Sequence, residues 1–182
     1  MKFNFLQKLI LSIFLLSFMQ YFASDIILNQ LAYSVFDIDP QGNFALSASE
    51  EVSFITIKNY ALLMPVKYYS YIVSFILGIV SLFFLRKKVK ERNWLFISIV
   101  MFFLSYGLDF YSNFQQVRLS MAIFLDGVNT FSDGSINAFF IEMYQSTTFS
   151  VMSGISFLSK LTLVFLYVFR PVTKNPIEEK VE

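Results

Sequence analysis

Long apolar runs separated by short charged segments set the pattern of this chain. Residues 68–85 and residues 93–108 contain no charged side chain, and most of their side chains are apolar. Each run is close to the roughly 20 residues that an α-helix needs to cross a hydrocarbon core about 30 Å thick. The pattern predicts two membrane-spanning helices, one on each side of residues 86–92.

The segment between these two runs is strongly basic, with five Lys and Arg side chains and one Glu in residues 86–92. Lys and Arg beside membrane spans stay on the cytoplasmic side, so we expect this loop in the cytoplasm. An earlier apolar run, residues 9–22, adds one span before these two. The N-terminus is therefore expected in the cytoplasm as well.

This first run follows two Lys side chains, a pattern shared by signal peptides and N-terminal membrane anchors. A cleavable signal needs small residues three positions and one position before the cut. Cutting after Ala23 or Ser24 would put a bulky aromatic residue, Tyr21 or Phe22, at the first of these positions. We therefore expect an uncleaved first helix.

Residues 24–66 mix short apolar pieces with five acidic side chains and one Lys. Their net negative charge predicts an extracytoplasmic loop. Within it, residues 37–43 resemble the start of a calcium-binding loop, with acids at positions one and three and Gly at position six. Ala48 stands at position twelve, where a bidentate Glu is needed. The segment is therefore interpreted as a Pro/Gly turn, and no metal site is predicted.

The segment of residues 109–142 leaves two topologies open. It carries four acids and one Arg, and its part Phe110–Leu125 is mostly apolar but interrupted by Arg118. If that part crosses the membrane, the chain has five spans and the charged tail, residues 171–182, lies outside. If it lies in the interface or re-enters, there are four spans and the tail is cytoplasmic, which the charge distribution favours.

Two helices show polar or small residues at helical spacing. Ser70, Ser74, Gly78 and Ser81 recur every three or four residues, which predicts a small-residue face for close helix packing. The last span, placed at 149–169, repeats this with Ser146, Ser150, Ser153 and Lys160. Lys160 is expected either to face the bundle in a packing seam or to line a cavity, for which Tyr144 is a second candidate.

Composition narrows the class of protein and the chemistry. With 182 residues, 56% of them hydrophobic, and no repeat or linker, the chain is interpreted as a single integral membrane domain, residues 1–182. The predicted fold is an all-α, multi-pass transmembrane helical bundle of four or five spans in the lipid bilayer. The absence of Cys and His excludes thiol nucleophiles, Cys/His zinc sites and an imidazole base. No basic patch suits nucleic acid, no cofactor is indicated, and the catalytic residues remain unknown.

The stretch Tyr111–Leu125 resembles the arginine motif of the bacterial EpsG family and Wzy-type O-antigen polymerases. The shared features are a polar approach, Arg118, and the small residue Ala122 four positions later, followed by an apolar helix. The family usually has a His further on, where this chain has Tyr144 or Gln145. Members are also about twice this length, so the chain would be a shortened or inactive member.

The resemblance implies polymerisation of undecaprenyl-pyrophosphate-linked oligosaccharide units at the outer face of the bacterial inner membrane. Arg118 would bind the donor pyrophosphate, a role that suits its permanently charged planar group. Gln115 and Gln116, with the neighbouring Asn113, would hydrogen-bond sugar or phosphate. Equally, an interfacial Arg can extend to lipid phosphates without any substrate.

A second class of function is a small non-enzymatic membrane protein, represented by immunity proteins to pore-forming bacteriocins. Those proteins are also of about this length, with four helices and both ends inside. Such a protein needs no catalytic residue and would bind the membrane helices of a toxin laterally. Between the two classes, the sequence favours the polymerase, because its motif has a physical role.

Overall fold

The computed structural model describes residues 4–38, 44–46, 49–89, 93–124, 143 and 146–169. Within these residues, four helices are each long and apolar enough to cross a membrane, which confirms an all-helical bundle with four spans. A short antiparallel hairpin joins the first two helices. The elements are α1 (Phe5–Val35), β1 (Phe36–Ile38), β2 (Phe44–Leu46), α2 (Glu50–Val89), α3 (Asn93–Phe124) and α4 (Thr147–Phe169).

The loop predicted at residues 24–66 is mostly helical, so that prediction was wrong in its extent. α1 continues to Val35 because Leu28, Ala32 and Val35 recur at helical spacing and are buried in the bundle. What remains of the loop contains β1 and β2, whose register pairs Phe36 with Leu46. The predicted turn at residues 39–43 lies outside the described residues.

α2 begins 18 residues before the predicted start at Tyr68 and runs through Pro65 without ending. Proline lacks the N–H that would bond to the carbonyl of Ala61, four residues earlier. The hydroxyl of Ser120 on α3 donates to this carbonyl instead, over 3.2 Å. A neighbouring helix thus replaces the missing bond, as is common where proline lies within a membrane helix.

α3 is one continuous helix from Asn93 to Phe124. Residues 110–124 therefore continue the predicted third span as one helix with it, and the helix runs on past Asp109, where the outer segment was predicted to start. The buried residues Asp109, Gln116 and Ile123 lie seven positions apart, so a single face of α3 points into the bundle along this whole length.

The small-residue face of α2 packs as predicted. Ser70, Ser74 and Ser81 are buried. At Gly78, an added Cβ would lie 2.6 Å from Cε2 of Phe102 on α3 and 3.1 Å from Cε2 of Phe14 on α1. Glycine is therefore needed for the close approach of three helices at this point.

The interior contains two apolar clusters at different heights. The aromatic cluster consists mainly of Phe and Tyr side chains. Within it, a distance of 4.5 Å separates the ring centroids of Phe102 and Tyr106. The aliphatic cluster lies nearer the hairpin. The aromatic cluster comprises Phe14, Phe18, Tyr21, Tyr71, Phe75, Phe102, Tyr106, Leu163 and Val164. The aliphatic cluster comprises Leu28, Ala32, Val35, Ile57, Tyr60, Ala61, Met64, Leu119, Ile123 and Met143.

Large apolar side chains are also exposed along all four helices, for example Leu16 on α1, Phe83 on α2, Phe103 on α3 and Val168 on α4. Water would not favour so much exposed apolar surface, whereas lipid chains would. The chain is a multi-pass membrane protein whose helices present apolar faces outward.

Candidate functional site

A network of buried charges joins all four helices between the two apolar clusters. At its centre, Asp25 on α1 accepts hydrogen bonds from two ammonium groups. One oxygen lies 2.6 Å from Nζ of Lys67 on α2, and the other lies 2.6 Å from Nζ of Lys160 on α4. Both Lys side chains are at most 1% exposed. A single carboxylate therefore ties the first helix to the second and the last.

Lys160 has a second anion on α3. Its Nζ lies 2.6 Å from Oδ2 of Asp109 and 4.6 Å from the ring centroid of Tyr21. The hydroxyl of Tyr21 donates to the same Asp109 oxygen. Lys160 thus lies between two carboxylates and over an aromatic face, which together compensate for its removal from water.

Gln116 on α3 also belongs to the network, because its Oε1 accepts a 2.9 Å hydrogen bond from Nζ of Lys67. Helical spacing explains how each helix contributes. Tyr21 and Asp25 are four positions apart on α1, and Asp109 and Gln116 are seven apart on α3, so each pair shares one face. The long Lys side chains reach these faces from α2 and α4.

The network is electrically balanced, with two Lys and two Asp side chains. A charge inside a membrane span costs about 2.5 to 3.5 kcal/mol on insertion scales, so pairing is required. Both oxygens of Asp25 are occupied by ammonium groups, which leaves this carboxylate unsuited to act as a base or nucleophile. Chemically, the arrangement holds helices together and specifies which faces meet.

One apolar cluster lies on each side of the network along the bundle axis. On α1, residues 14–21 belong to the aromatic cluster, Asp25 belongs to the network, and residues 28–35 belong to the aliphatic cluster. The same order along the axis holds on α2 and α3. Within the described residues, a polar path from the network to either end of the bundle would have to cross one of these clusters.

The structure separates the four residues predicted to bind substrate. Arg118 is exposed, and its Nη1 donates a 3.3 Å hydrogen bond to Oε1 of the buried Gln115, whose Nε2 in turn donates to the hydroxyl of Tyr111. Gln116 and Asn113 lie on another face, which points into the bundle. Nδ2 of Asn113 is buried and has no hydrogen-bond partner among the described residues.

Of the two candidates for a cavity wall, Lys160 lies inside the network, and Tyr144 lies outside the described residues. Sequence reasoning did not find the partners of Lys160. Asp25 and Asp109 were assigned to outer segments, and Lys67 fell between a predicted loop and a predicted helix. Their one signal was a charge within a long apolar stretch, which in a membrane helix usually has a partner.

A partly open cleft of about 270 Å³ lies between α1 and α4. These two helices make few close backbone contacts with each other, unlike α1 with α2 or α3 with α4. They are joined by the Lys160 ion pair and by a ring contact between Phe22 and Phe157. The cleft is lined by Asn29, Tyr33, Met143, Phe149, Ser150, Ser153, Gly154 and Phe157.

No family model, curated protein or solved structure matches this chain. A function for the chain therefore rests on the geometry of the network, the exposed faces and the cleft.

Proposed function

We propose that this chain is a non-enzymatic bacterial inner-membrane protein that acts by lateral contact with the membrane helices of a partner. Immunity proteins to pore-forming bacteriocins are the example of this class that suits its size. The observation that carries the proposal is the buried network, in which every ion is paired to another helix of the same chain. Its charges stabilise the bundle and are not presented to a substrate.

The outer surface supports the same proposal. Exposed apolar side chains such as Ile76 on α2, Phe103 on α3 and Leu158 on α4 lie in the lipid-facing positions that a partner helix would contact. In lipid, helices associate through the fit of such faces rather than through a hydrophobic driving force. Specificity for one toxin would then be encoded in the shapes of exposed side chains.

Charge supports an orientation with both ends in the cytoplasm. The four helices of the described residues that are long and apolar enough to span would return the chain to the side on which it starts. The basic segment of residues 86–92 and the Lys residues near the N-terminus then share the cytoplasmic side, and the acidic residues 37–51 and 126–142 share the outer side.

The test is protection of a susceptible bacterium that expresses the chain. Cells are challenged with purified pore-forming bacteriocins of several types, and survival and membrane potential are measured. We expect one pore former to lose its effect, while a nuclease bacteriocin that uses the same receptor still kills. Phe103→Ala should weaken protection without lowering the amount of protein in the membrane. Killing by every pore former, with the chain present in the membrane, would refute the proposal.

The polymerase is the second candidate, and one observation favours it. Arg118 is an exposed cation held by Gln115, with Tyr111 on the same face of α3. Such a face suits the pyrophosphate of an undecaprenyl-linked donor approaching within the membrane. Gln116 supports Lys67 instead and has no part in this version of the site.

Complementation distinguishes the second candidate from the first. A strain that lacks its repeat-unit polymerase is transformed with the chain, and the ladder of O-antigen lengths is examined. A polymerase would restore the ladder and lose it on Arg118→Gln. Lys58→Gln is the matched control, because Lys58 is another exposed cation of the bundle. No ladder, together with protection against a toxin, would leave only the first candidate.

A further inference from the structure

We infer that the cleft between α1 and α4 binds a single neutral sugar ring, presented as a lipid headgroup or free in solution. This site is separate from the apolar faces and from Arg118, so it does not depend on the function proposed above.

The size of the cleft limits its ligand. Pockets for drug-sized ligands enclose roughly 300 to 1,000 Å³. The cleft encloses about 270 Å³ and is partly open, so one ring fits inside it and any further sugar would lie outside. At Gly154, an added Cβ would meet nothing within 4 Å, so part of this space lies directly over the backbone of α4.

The lining selects an uncharged ligand with hydroxyl groups. None of the lining residues that the structure describes carries a charge, so these residues offer an anionic headgroup no counter-ion. Asn29 supplies an amide that both donates and accepts, and Ser150 and Ser153 supply hydroxyls. Neither hydroxyl makes a side-chain hydrogen bond among the described residues, whereas those of Ser70 and Ser159 bond back to their own helices.

Aromatic side chains complete the cleft, and they favour a ring over an acyl chain. Phe149, Phe157 and Tyr33 are part of the wall that also contains the polar groups. A sugar ring has apolar C–H faces and a hydroxylated edge, so it can contact rings and hydrogen-bond at the same time. An acyl chain would leave the amide of Asn29 without a partner in an apolar surrounding, which is unfavourable.

The position of the cleft suits a headgroup at the membrane surface. Tyr33 lies two residues before the end of α1, and Phe149 and Ser150 lie in the first turn of α4. These helix ends are on the same side of the bundle, beyond the buried network. Aromatic residues with polar groups are typical of this interfacial depth.

Binding is tested on the whole chain, purified in a detergent without a sugar headgroup and placed in phosphatidylglycerol nanodiscs. One arm contains monoglucosyl-diacylglycerol, a second contains plain diacylglycerol, and a third adds methyl glucoside to the solution. Native mass spectrometry measures the bound lipid, and saturation-transfer NMR measures the free sugar. We expect binding of the glucolipid and not of diacylglycerol. Binding of methyl glucoside as well would identify a soluble sugar as a ligand.

Gly154→Leu should fill the open space and weaken binding by at least about tenfold. Gly107→Leu is the matched control, because Gly107 is another exposed helical glycine with no atom within 4 Å of an added Cβ, and it lies on α3 away from the cleft. Unfolding of both variants in detergent shows whether they fold. Absence of binding in the glucolipid and methyl glucoside arms, equal binding of diacylglycerol, or an unchanged affinity of folded Gly154→Leu would each overturn the inference.

Discussion

Nζ of Lys160 and Oδ2 of Asp25 lie 2.6 Å apart, although 135 positions separate these residues in the chain. The contact joins the last helix to the first, where the two helices make few close backbone contacts. The seam between α1 and α4 is therefore closed by side chains, chiefly by this ion pair. The same seam contains the cleft.

Replacing Lys160 by Met should destabilise the bundle more than the loss of packing accounts for. Among the described residues, Asp109 would keep only the hydroxyl of Tyr21, and the network would carry a net charge of about −1 inside the span. Breaking a buried ion pair by removing one partner costs about 3 to 5 kcal/mol. The free energy of unfolding in mixed micelles with increasing SDS measures this cost.

The double variant Lys160→Met with Asp109→Asn is the control for that prediction. It restores a neutral network, in which Lys67 still pairs with Asp25. We expect the double variant to be more stable than Lys160→Met alone. If the second substitution only adds to the loss, the destabilisation comes from packing and not from an unpaired charge.

A double-mutant cycle can measure the contribution of the Ser120 hydrogen bond, which replaces the bond that Pro65 cannot donate. Ser120→Ala removes the hydroxyl that donates to the carbonyl of Ala61. Hydrogen bonds between membrane helices contribute on average about 0.6 kcal/mol and up to about 1.7 kcal/mol, so a loss in this range is expected. In a Pro65→Ala background the backbone supplies its own donor, and Ser120→Ala should cost almost nothing. An equal cost in both backgrounds, measured by the same SDS titration, would contradict this account.

Gly78→Ala should destabilise the bundle by about 1 to 3 kcal/mol, the usual cost of adding atoms to a filled interior. The new Cβ would meet Cε2 of Phe102 at 2.6 Å. That ring is already packed against Phe75 and Tyr106, so it has little room to move. Gly107→Ala is the control and should be neutral or slightly stabilising, because nothing lies within 4 Å and alanine favours a helix. A similar loss in both variants would exclude steric contact with Phe102 as the cause.

Single Cys substitutions can establish the orientation, because the natural chain contains no Cys. Ser49→Cys, between β2 and α2, should react with an impermeant maleimide added to intact cells. Lys90→Cys in the basic segment and Lys174→Cys in the tail should react only after the membrane is permeabilised. The physical reason is that clustered Lys and Arg are retained on the cytoplasmic side. The reverse labelling pattern would show that the proposed orientation is inverted.

The predictions from sequence succeeded where a property depends on one helix at a time. Apolar length identified the spans. Small residues at helical spacing identified the face of α2 on which Gly78 lets Phe102 pack closely. They failed at helix ends. α2 begins 18 residues before the predicted start at Tyr68, and the hydroxyl of Ser120 that replaces the bond missing at Pro65 comes from another helix.

The network shows the same limit more strongly. Asp25 and Asp109 follow apolar runs, so in the sequence they indicate the ends of spans. Their partners Lys67 and Lys160 are 42 or more positions away. Nothing in local spacing distinguishes an acid at a membrane surface from an acid that meets a Lys inside the bundle.

By itself, the sequence determined the class of protein. Four long apolar stretches must leave water, and the distribution of Lys and Arg predicts their direction across the membrane. Only the tertiary structure decided which helix faces meet, and therefore that Asp25, Lys67, Asp109 and Lys160 form one neutral network and that a cleft remains between α1 and α4. The physical reason is that helical periodicity defines the face a residue occupies, whereas its partner depends on how separate helices pack.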